Sequence, residues 1–439
     1  MGGFFREGER NVIPATFTIM SFPQCFWAGI HNMQDMDSCQ MHAGMTKKKW
    51  NKNSMFEKEL SEIKKNGLYR ILRIVESAQS SRIVIDGKEV LLLSSNNYLG
   101  LANHPRLKEA AKEAIDRYGA GSGASRLISG NNILYKELEE RIVAFKNTAA
   151  ALVFNSGYMA NISILPTVAG EGDLILSDEL NHASIIDGCR LSKAEKIIYR
   201  HKDIEHLKEI LSKNKDRKCL VVTEGVFSMD GDIAPIPEII DIAKRYSAMV
   251  MLDDAHATGV LGKNGIGTGG HFGIKEGIDI HMGTLGKALG AFGAYVAGSK
   301  SLIEFLINRA RGFIFTTALP PSVLASAIAA IQILEEEPHL IKNLWINRNY
   351  LVDGLKNLGF NIMGSETPII PIFIGSIEEA LKMAERLFED GIYIPAIRPP
   401  TVPEDSCRLR LTVMATHTKE ELDRALAAIG KIGKELKII

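Results

Sequence analysis

The sequence predicts an α/β protein: a large domain built on a mostly parallel sheet with helices on both faces, then a smaller C-terminal α/β domain. Three observations carry this. Short, unbroken apolar runs at 150–154, 174–176, 197–199, 220–222, 250–252, 278–282 and 294–297 read as strands buried on both faces, and amphipathic helical stretches such as 204–211 and 237–246 separate most of them. Beyond 335, a long helical stretch at 339–358 leads into a second alternation: 369–374, 377–388, 409–414 and 418–436 read as strand, helix, strand, helix. Finally, the core runs end in polar residues richer than loops require, and open parallel sheets carry their chemistry at strand ends.

Composition narrows the function. The chain has 439 residues, with 52 Lys+Arg against 52 Asp+Glu, so no net field draws it to nucleic acid or to an anionic membrane. No apolar run approaches the roughly 20 residues that span a bilayer. Cys25, Cys39, Cys189, Cys219 and Cys407 lack the paired spacing of a zinc site, and an odd total fits a reducing cytoplasm better than a disulfide scaffold.

In chain order, residues 1–54 show neither helical nor strand period, and are expected to be a poorly ordered extension outside the fold. Met45 and Met55 are candidate translation starts. The segment 55–93 is expected to hold an N-terminal helix that continues past Gly67 to about 78, then a hairpin of 82–84 and 90–93 turning at Asp86-Gly87. The large domain then occupies 94–335 and the small one 336–439. Within the large domain a helix is expected after Pro105, ending at Gly119, and another over 133–145. The Gly- and Ser-rich turn at 119–130 between them is too loose to be a nucleotide fingerprint. The chain reads as helical from 299 to 335.

The chemistry centres on Lys287, set among Gly283, Gly286, Ala288, Gly290 and Gly293, where a planar ligand can lie against bare backbone. Burial and neighbouring positive charge lower an ammonium's pKa and leave an amine able to attack an aldehyde. Other strand ends supply complementary groups. Gly157 and Tyr158 follow the 150–154 run at a helix start whose amides could hold a phosphate. His182 follows 174–176, where an imidazole can stack on a flat ligand or move a proton. Asp253, Asp254 and His256 follow 250–252, and buried carboxylates require a cationic or hydrogen-bonding occupant. A metal is one candidate, but no further Asp, Glu or His clusters at ligand spacing, whereas a protonated pyridine needs a single carboxylate. Together these groups describe a site for pyridoxal 5'-phosphate.

Thr284-Leu285-Gly286-Lys287-Ala288-Leu289-Gly290-Ala291-Phe292-Gly293 resembles the cofactor-attachment segment of the class II pyridoxal-phosphate aminotransferases, in particular the α-oxoamine synthases, which condense an amino acid with an acyl thioester. The resemblance runs from about 55 to the C-terminus. It includes Ser95-Asn96-Asn97-Tyr98-Leu99-Gly100-Leu101, Gly121-Ser122-Gly123-Ala124-Ser125-Arg126, Asn181-His182-Ala183-Ser184, 223–232, 253–259 and Thr316-Thr317-Ala318-Leu319-Pro320-Pro321. It implies a homodimeric fold-type I enzyme. In that reading Lys287 holds the cofactor, Asp253 pairs with its ring nitrogen and His256 bonds its phenolic oxygen. His182 stacks over the ring, Gly157, Tyr158, Ser228 and Thr284 line the site, and Thr316 or Thr317 reaches the phosphate in the neighbouring subunit.

The substrates follow from the C-terminal segment. Ile397-Arg398-Pro399-Pro400-Thr401-Val402-Pro403 with Arg408-Leu409-Arg410-Leu411-Thr412 resembles the family members that join L-alanine to a pimeloyl thioester, carried by coenzyme A or an acyl carrier protein, and lose carbon dioxide to give 8-amino-7-oxononanoate for biotin synthesis. The alternative is the glycine and acetyl-CoA condensation of the glycine C-acetyltransferases, or another acyl thioester. By the same resemblance Arg410 binds the amino-acid carboxylate, Arg70 meets a carboxylate on the acyl chain, and Asn96, His182 and Thr401 complete the substrate site.

Overall fold

Apolar residues at consecutive positions need cover on both sides, and the chain supplies it by winding helices around a seven-stranded sheet. The computed structural model describes residues 52–439. The expectations for 1–51, including a start at Met45, lie outside the described residues. Leu60–Ile439 forms one compact unit.

The strands in chain order are β1 (Arg82–Ile85), β2 (Lys88–Leu92), β3 (Ala150–Phe154), β4 (Leu174–Asp178), β5 (Glu195–Tyr199), β6 (Cys219–Glu224), β7 (Met249–Asp253), β8 (Ile280–Thr284), β9 (Ala294–Gly298), β10 (Ile369–Gly375), β11 (Ile392–Tyr393), β12 (Ala396–Ile397) and β13 (Cys407–Thr412). The central sheet has the order β3-β9-β8-β7-β6-β4-β5. Only β9 runs antiparallel to its neighbours, so the other six strands point their carboxyl ends the same way. Burial alternates by side. Leu220 and Val222 of β6 join the cluster under the helices Gly157–Val168 and Lys300–Arg309, while Cys219 and Val221 join the cluster under Ile204–Lys213 and Ile236–Arg245.

Two smaller sheets flank this one. The hairpin β1–β2 turns through Asp86 and Gly87 at φ 51° and 76°, the left-handed pair of a primed turn, and β11 adds to β2 in parallel. The third sheet, β10-β13-β12, is antiparallel and pairs Pro371 with Arg410. One apolar cluster runs from Leu138 and Tyr295 through the helices Pro321–Glu336 and His339–Leu358 to Ile370 and Leu411. It packs the C-terminal strands onto the large sheet's surroundings, which fixes where β13 delivers its side chains.

Three expectations are corrected. The first helix covers Lys52–Lys65 and does not continue to 78: Gly67 takes φ 67°, and Ile71, Leu72 and Ile74 are exposed, so the apolar spacing there buries no helical face. The strand expected at 278–282 is β8, two residues later, because Asp279 is engaged at the strand's start, with its Oδ2 accepting from the Val250 amide at 2.8 Å. The last strand begins earlier, at Cys407 rather than Leu409, and the short β11 and β12 were not foreseen. Two-residue strands carry too little pattern to be seen in sequence.

Candidate active site

The carboxyl ends of β4, β6, β7 and β8, with the start of the helix that follows β3, surround a cavity of about 210 Å³. Gly157, Tyr158, Asn161, His182, Ser184, Glu224, Asp253, His256, Thr284 and Lys287 contribute to its wall. Register explains the convergence. Glu224 pairs with Asp253 and Asp253 with Met282, so β6 and β7 stop at one level and β8 runs two residues further, to Thr284.

Lys287 keeps part of its side chain toward the cavity, and its Nζ lies 3.0 Å from His256 Nε2. The same imidazole meets Tyr98 OH through Nδ1 at 2.8 Å. Tyr98 comes from the loop after β2, which is pinned because Thr412 Oγ1 donates to Ser95 O at 2.8 Å and Ala415 N donates to Tyr98 O at 2.7 Å. Burial lowers the Lys287 ammonium to about 8, against the opposing pull of Asp253 and Glu224. Burial also holds His256 well below the ordinary histidine value, with the Lys287 charge adding to it. The pair is therefore an amine near its titration point beside a neutral imidazole.

Asp253 is 3% exposed. Its Oδ1 accepts from the Ala255 amide at 2.9 Å and its Oδ2 from Asn161 Nδ2 at 2.8 Å. Burial raises its pKa, and Lys287 and these donors pull it back. Beside it, Glu224 is pushed well above the carboxylate range by burial and then by Asp253. His182 caps the helix Ala183–Leu191, its Nδ1 accepting from the Ser184 amide at 3.2 Å, and burial lowers its pKa.

A flat, anionic aldehyde suits this wall. Ser156 caps the helix Gly157–Val168 through the Met159 amide, and the first-turn amides of Gly157 and Tyr158 have no intrahelical acceptor. A Cβ on Gly157 would stand 2.7 Å from Thr284 Cγ2, so only bare backbone approaches there. Asn161 Oδ1 and Glu224 Oε1 are buried with no protein partner, which leaves polar capacity for an occupant. Thr284 Oγ1 donates to Ala255 O at 3.2 Å.

The structure gathers Lys287, Asp253, His256, His182, Gly157, Tyr158 and Thr284 around the cavity. Arg410 is 7% exposed on β13; its Nε donates to Ser228 O at 2.6 Å and its Nη1 to Asn96 Oδ1 at 3.2 Å, which ties three expected residues together. These three do not line the cavity itself, and Arg70, Thr401 and Thr317 also lie outside its wall. Arg70 is exposed; Arg398, next along the surface, donates to Gly67 O at 2.8 Å and Tyr69 O at 2.7 Å. Thr401 is exposed in a turn, its amide donating to Arg398 O at 3.1 Å. Thr317 is exposed, and its carbonyl accepts from Asn155 Nδ2 at 2.8 Å.

Sequence reasoning assigned no role to Tyr98, Asn161, Ser184 or Glu224. Asn161 had a usable signal, since it sits one turn after Gly157 on the same helix; Tyr98 had none, because its partner is remote in sequence. A larger cleft of about 640 Å³ runs along Ile162, Leu191, Phe305 and Phe315, but it gathers no buried titratable cluster.

Known proteins resemble this chain along most of its length. The family described as aminotransferase class I and II matches residues 88–429. The 8-amino-7-oxononanoate synthase of Geotalea daltonii is 54% identical over 387 residues, 87% of this chain and 98% of the relative. That of Lysinibacillus sphaericus is 51% identical over 388 residues, 88% of this chain and 100% of the relative. Among solved structures, a serine palmitoyltransferase from S. paucimobilis with bound PLP–myriocin aldimine superposes with TM-score 0.84 at 34% identity, covering 88% of this chain and 99% of that one. The 8-amino-7-oxononanoate synthase of Francisella tularensis gives 0.70 at 31%, covering 80% and 99%. On sequence and structure alike, the chain belongs to the class I and II aminotransferase family, on its α-oxoamine synthase branch.

Proposed function

We propose that this protein joins L-alanine to a pimeloyl thioester with loss of carbon dioxide, giving 8-amino-7-oxononanoate for biotin synthesis, with pyridoxal 5'-phosphate bound at Lys287. One observation carries the chemistry: a half-buried lysine lowered to about 8, with Asp253 close enough to perturb it, in a wall that holds buried polar atoms without a partner among the described residues. The choice of substrates rests on relatives of that name at 54% and 51% identity along nearly their whole length.

When bound, the cofactor supplies an electron sink for charge that develops at the amino acid's α-carbon. Asp253 holds the ring nitrogen protonated, its two oxygens fixed by Asn161 and the Ala255 amide. His256, kept neutral by burial and oriented by Tyr98, hydrogen-bonds the phenolic oxygen. The Gly157 and Tyr158 amides, with Thr284, take the phosphate end, and Ser228 O orients Arg410. Lys287 Nζ is the general base that removes the α-proton, a task that suits an amine titrating near 8. His182 donates to the substrate carbonyl, and Arg410 grips the amino-acid carboxylate with help from Asn96.

The same reading takes 94–335 as the cofactor-binding domain and 336–439 as the smaller domain that delivers Arg410. It takes Arg70 and Thr401 as the acyl-chain end of the site. The working form is a cytoplasmic homodimer in which Thr317 reaches the phosphate of the neighbouring copy. The exposure of Thr317 supports this, and among the described residues no helix is long and apolar enough to cross a membrane.

Product mass spectrometry tests the assignment. Purified protein with added pyridoxal phosphate is offered L-alanine or glycine with pimeloyl-CoA, acetyl-CoA and longer acyl-CoAs. Alanine and pimeloyl-CoA yielding 8-amino-7-oxononanoate supports it; turnover with glycine and acetyl-CoA alone replaces it with the glycine C-acetyltransferase reaction.

A further inference from the structure

Building on the proposed reaction, we infer that Asn161 and Ser184 are positioning residues that hold His182 as its Nε2–H tautomer and lock its orientation to that of Asp253. Four groups stand in a line. Asn161 Nδ2 donates to Asp253 Oδ2 at 2.8 Å and to Ser184 Oγ at 2.9 Å, and Ser184 Oγ lies 2.8 Å from His182 Nδ1.

The protons can be assigned in sequence. Both oxygens of Asp253 accept, Oδ1 from the Ala255 amide, so the Asn161 side chain must turn its nitrogen toward the carboxylate. Its two hydrogens are then used on Asp253 and Ser184. Ser184 Oγ, already accepting, has its own hydrogen free to give to His182 Nδ1. That nitrogen also accepts from the Ser184 amide at 3.2 Å, so it carries no proton. A neutral imidazole holds its single proton on the other nitrogen. His182 Nε2 makes no hydrogen bond among the described residues and belongs to the cavity wall, which leaves its N–H for a substrate carbonyl.

Burial makes the arrangement strict. Asn161 is 0% exposed and Ser184 2%, so water cannot repair a proton placed the wrong way round. A His182 with its proton on Nδ1 would present a lone pair to the carbonyl oxygen it should stabilise. The other ionisable groups of the wall facing this line are Tyr158, Glu224, His256 and Lys287. Asn161 lies on the helix after β3 and Ser184 on the helix after β4, so the line also couples two helices that meet over the site.

The test uses the holoenzyme with ¹⁵N-labelled histidine, the His182 signals being identified by their loss in His182→Gln. The wild type is expected to show an unprotonated Nδ1 and a protonated Nε2. Ser184→Ala removes the 2.8 Å hydroxyl donor and leaves Nδ1 only the longer main-chain donor at 3.2 Å, so it should shift the His182 nitrogen signals toward a tautomer mixture and lower kcat by roughly tenfold, with KM for L-alanine changed less than about twofold and cofactor absorbance retained. Ser184→Thr, which keeps the hydroxyl, should restore both readings. Asn161→Ala should disturb the same His182 signals and also shift the cofactor's absorbance, because Asp253 loses a donor. A wild-type spectrum with the proton on Nδ1 overturns the inference whether or not any variant folds. So does a folded Ser184→Ala with unchanged His182 signals and kcat. A wild-type enzyme that makes no 8-amino-7-oxononanoate instead overturns the proposed reaction, and the tautomer measurement still stands.

Discussion

Lys287 Nζ and His256 Nε2 are 3.0 Å apart, and Tyr98 holds the far nitrogen of that imidazole at 2.8 Å. A lysine poised this way has a measurable titration, because burial brings its ammonium down to about 8. The free-amine fraction rises with pH and levels off above that value. Stopped-flow capture of pyridoxal phosphate by the apoprotein should therefore speed up through about pH 8 and then plateau. A midpoint near the ordinary lysine value, about 10.4, would contradict the burial argument. Lys287→Ala should lose both the bound-cofactor absorbance and turnover.

Asp253→Asn keeps the shape of the buried carboxylate but can accept from only one of Asn161 and the Ala255 amide, and it removes the charge that keeps a ring nitrogen protonated. kcat should fall by roughly a hundredfold or more while cofactor remains bound. Steady-state kinetics beside an absorbance spectrum decide this; near-normal kcat would move the role away from Asp253.

Arg410→Lys retains a positive charge and loses the planar fork. Arg410 is already oriented by Ser228 O at 2.6 Å and Asn96 Oδ1 at 3.2 Å, so its free edge is set for a carboxylate. The KM for L-alanine should rise roughly tenfold or more, with KM for the acyl thioester little changed. Equal effects on both substrates would argue that Arg410 only braces the loop at Ser228.

Gly157→Ala places a Cβ 2.7 Å from Thr284 Cγ2, where neither backbone nor β-branched side chain yields easily. Cofactor affinity should drop while the apoprotein's melting temperature changes by no more than a few degrees. Equilibrium dialysis of pyridoxal phosphate measures it, and unchanged affinity would show that the helix start can retreat.

His201 lies between Asp178 and Asp232, 2.9 Å from each, and these carboxylates raise its pKa to about 9 despite partial burial. Lys202 faces the same Asp232 at 3.0 Å. Because the folded value exceeds the unfolded one, His201 contributes stability that is complete below about 6.5 and is lost as pH rises through about 9. His201→Gln should lower the melting temperature at pH 6 by a few degrees and cost progressively less as pH rises from about 6.5 to about 9, as read by thermal denaturation. A gap independent of pH would assign the loss to packing against Phe227 instead.

The sequence by itself determined the chain order of the central strands and helices and the polar residues that follow them, and so placed Lys287, Asp253, His256 and His182 near strand ends. Those features rest on local apolar period and on residues at or within four places of a strand's end, which any window of the chain contains. It misread 68–78, where apolar spacing imitates a helix but no surface covers it. Only the tertiary structure decided that Tyr98 orients His256, that Arg410 meets Asn96 and Ser228, and that Asn161 joins Asp253 to Ser184. These contacts link residues far apart in the chain, and they depend on strand order, on register and on the way one continuous core packs β13 beside the central sheet. No local pattern encodes them, because each partner's sequence neighbourhood is compatible with many others.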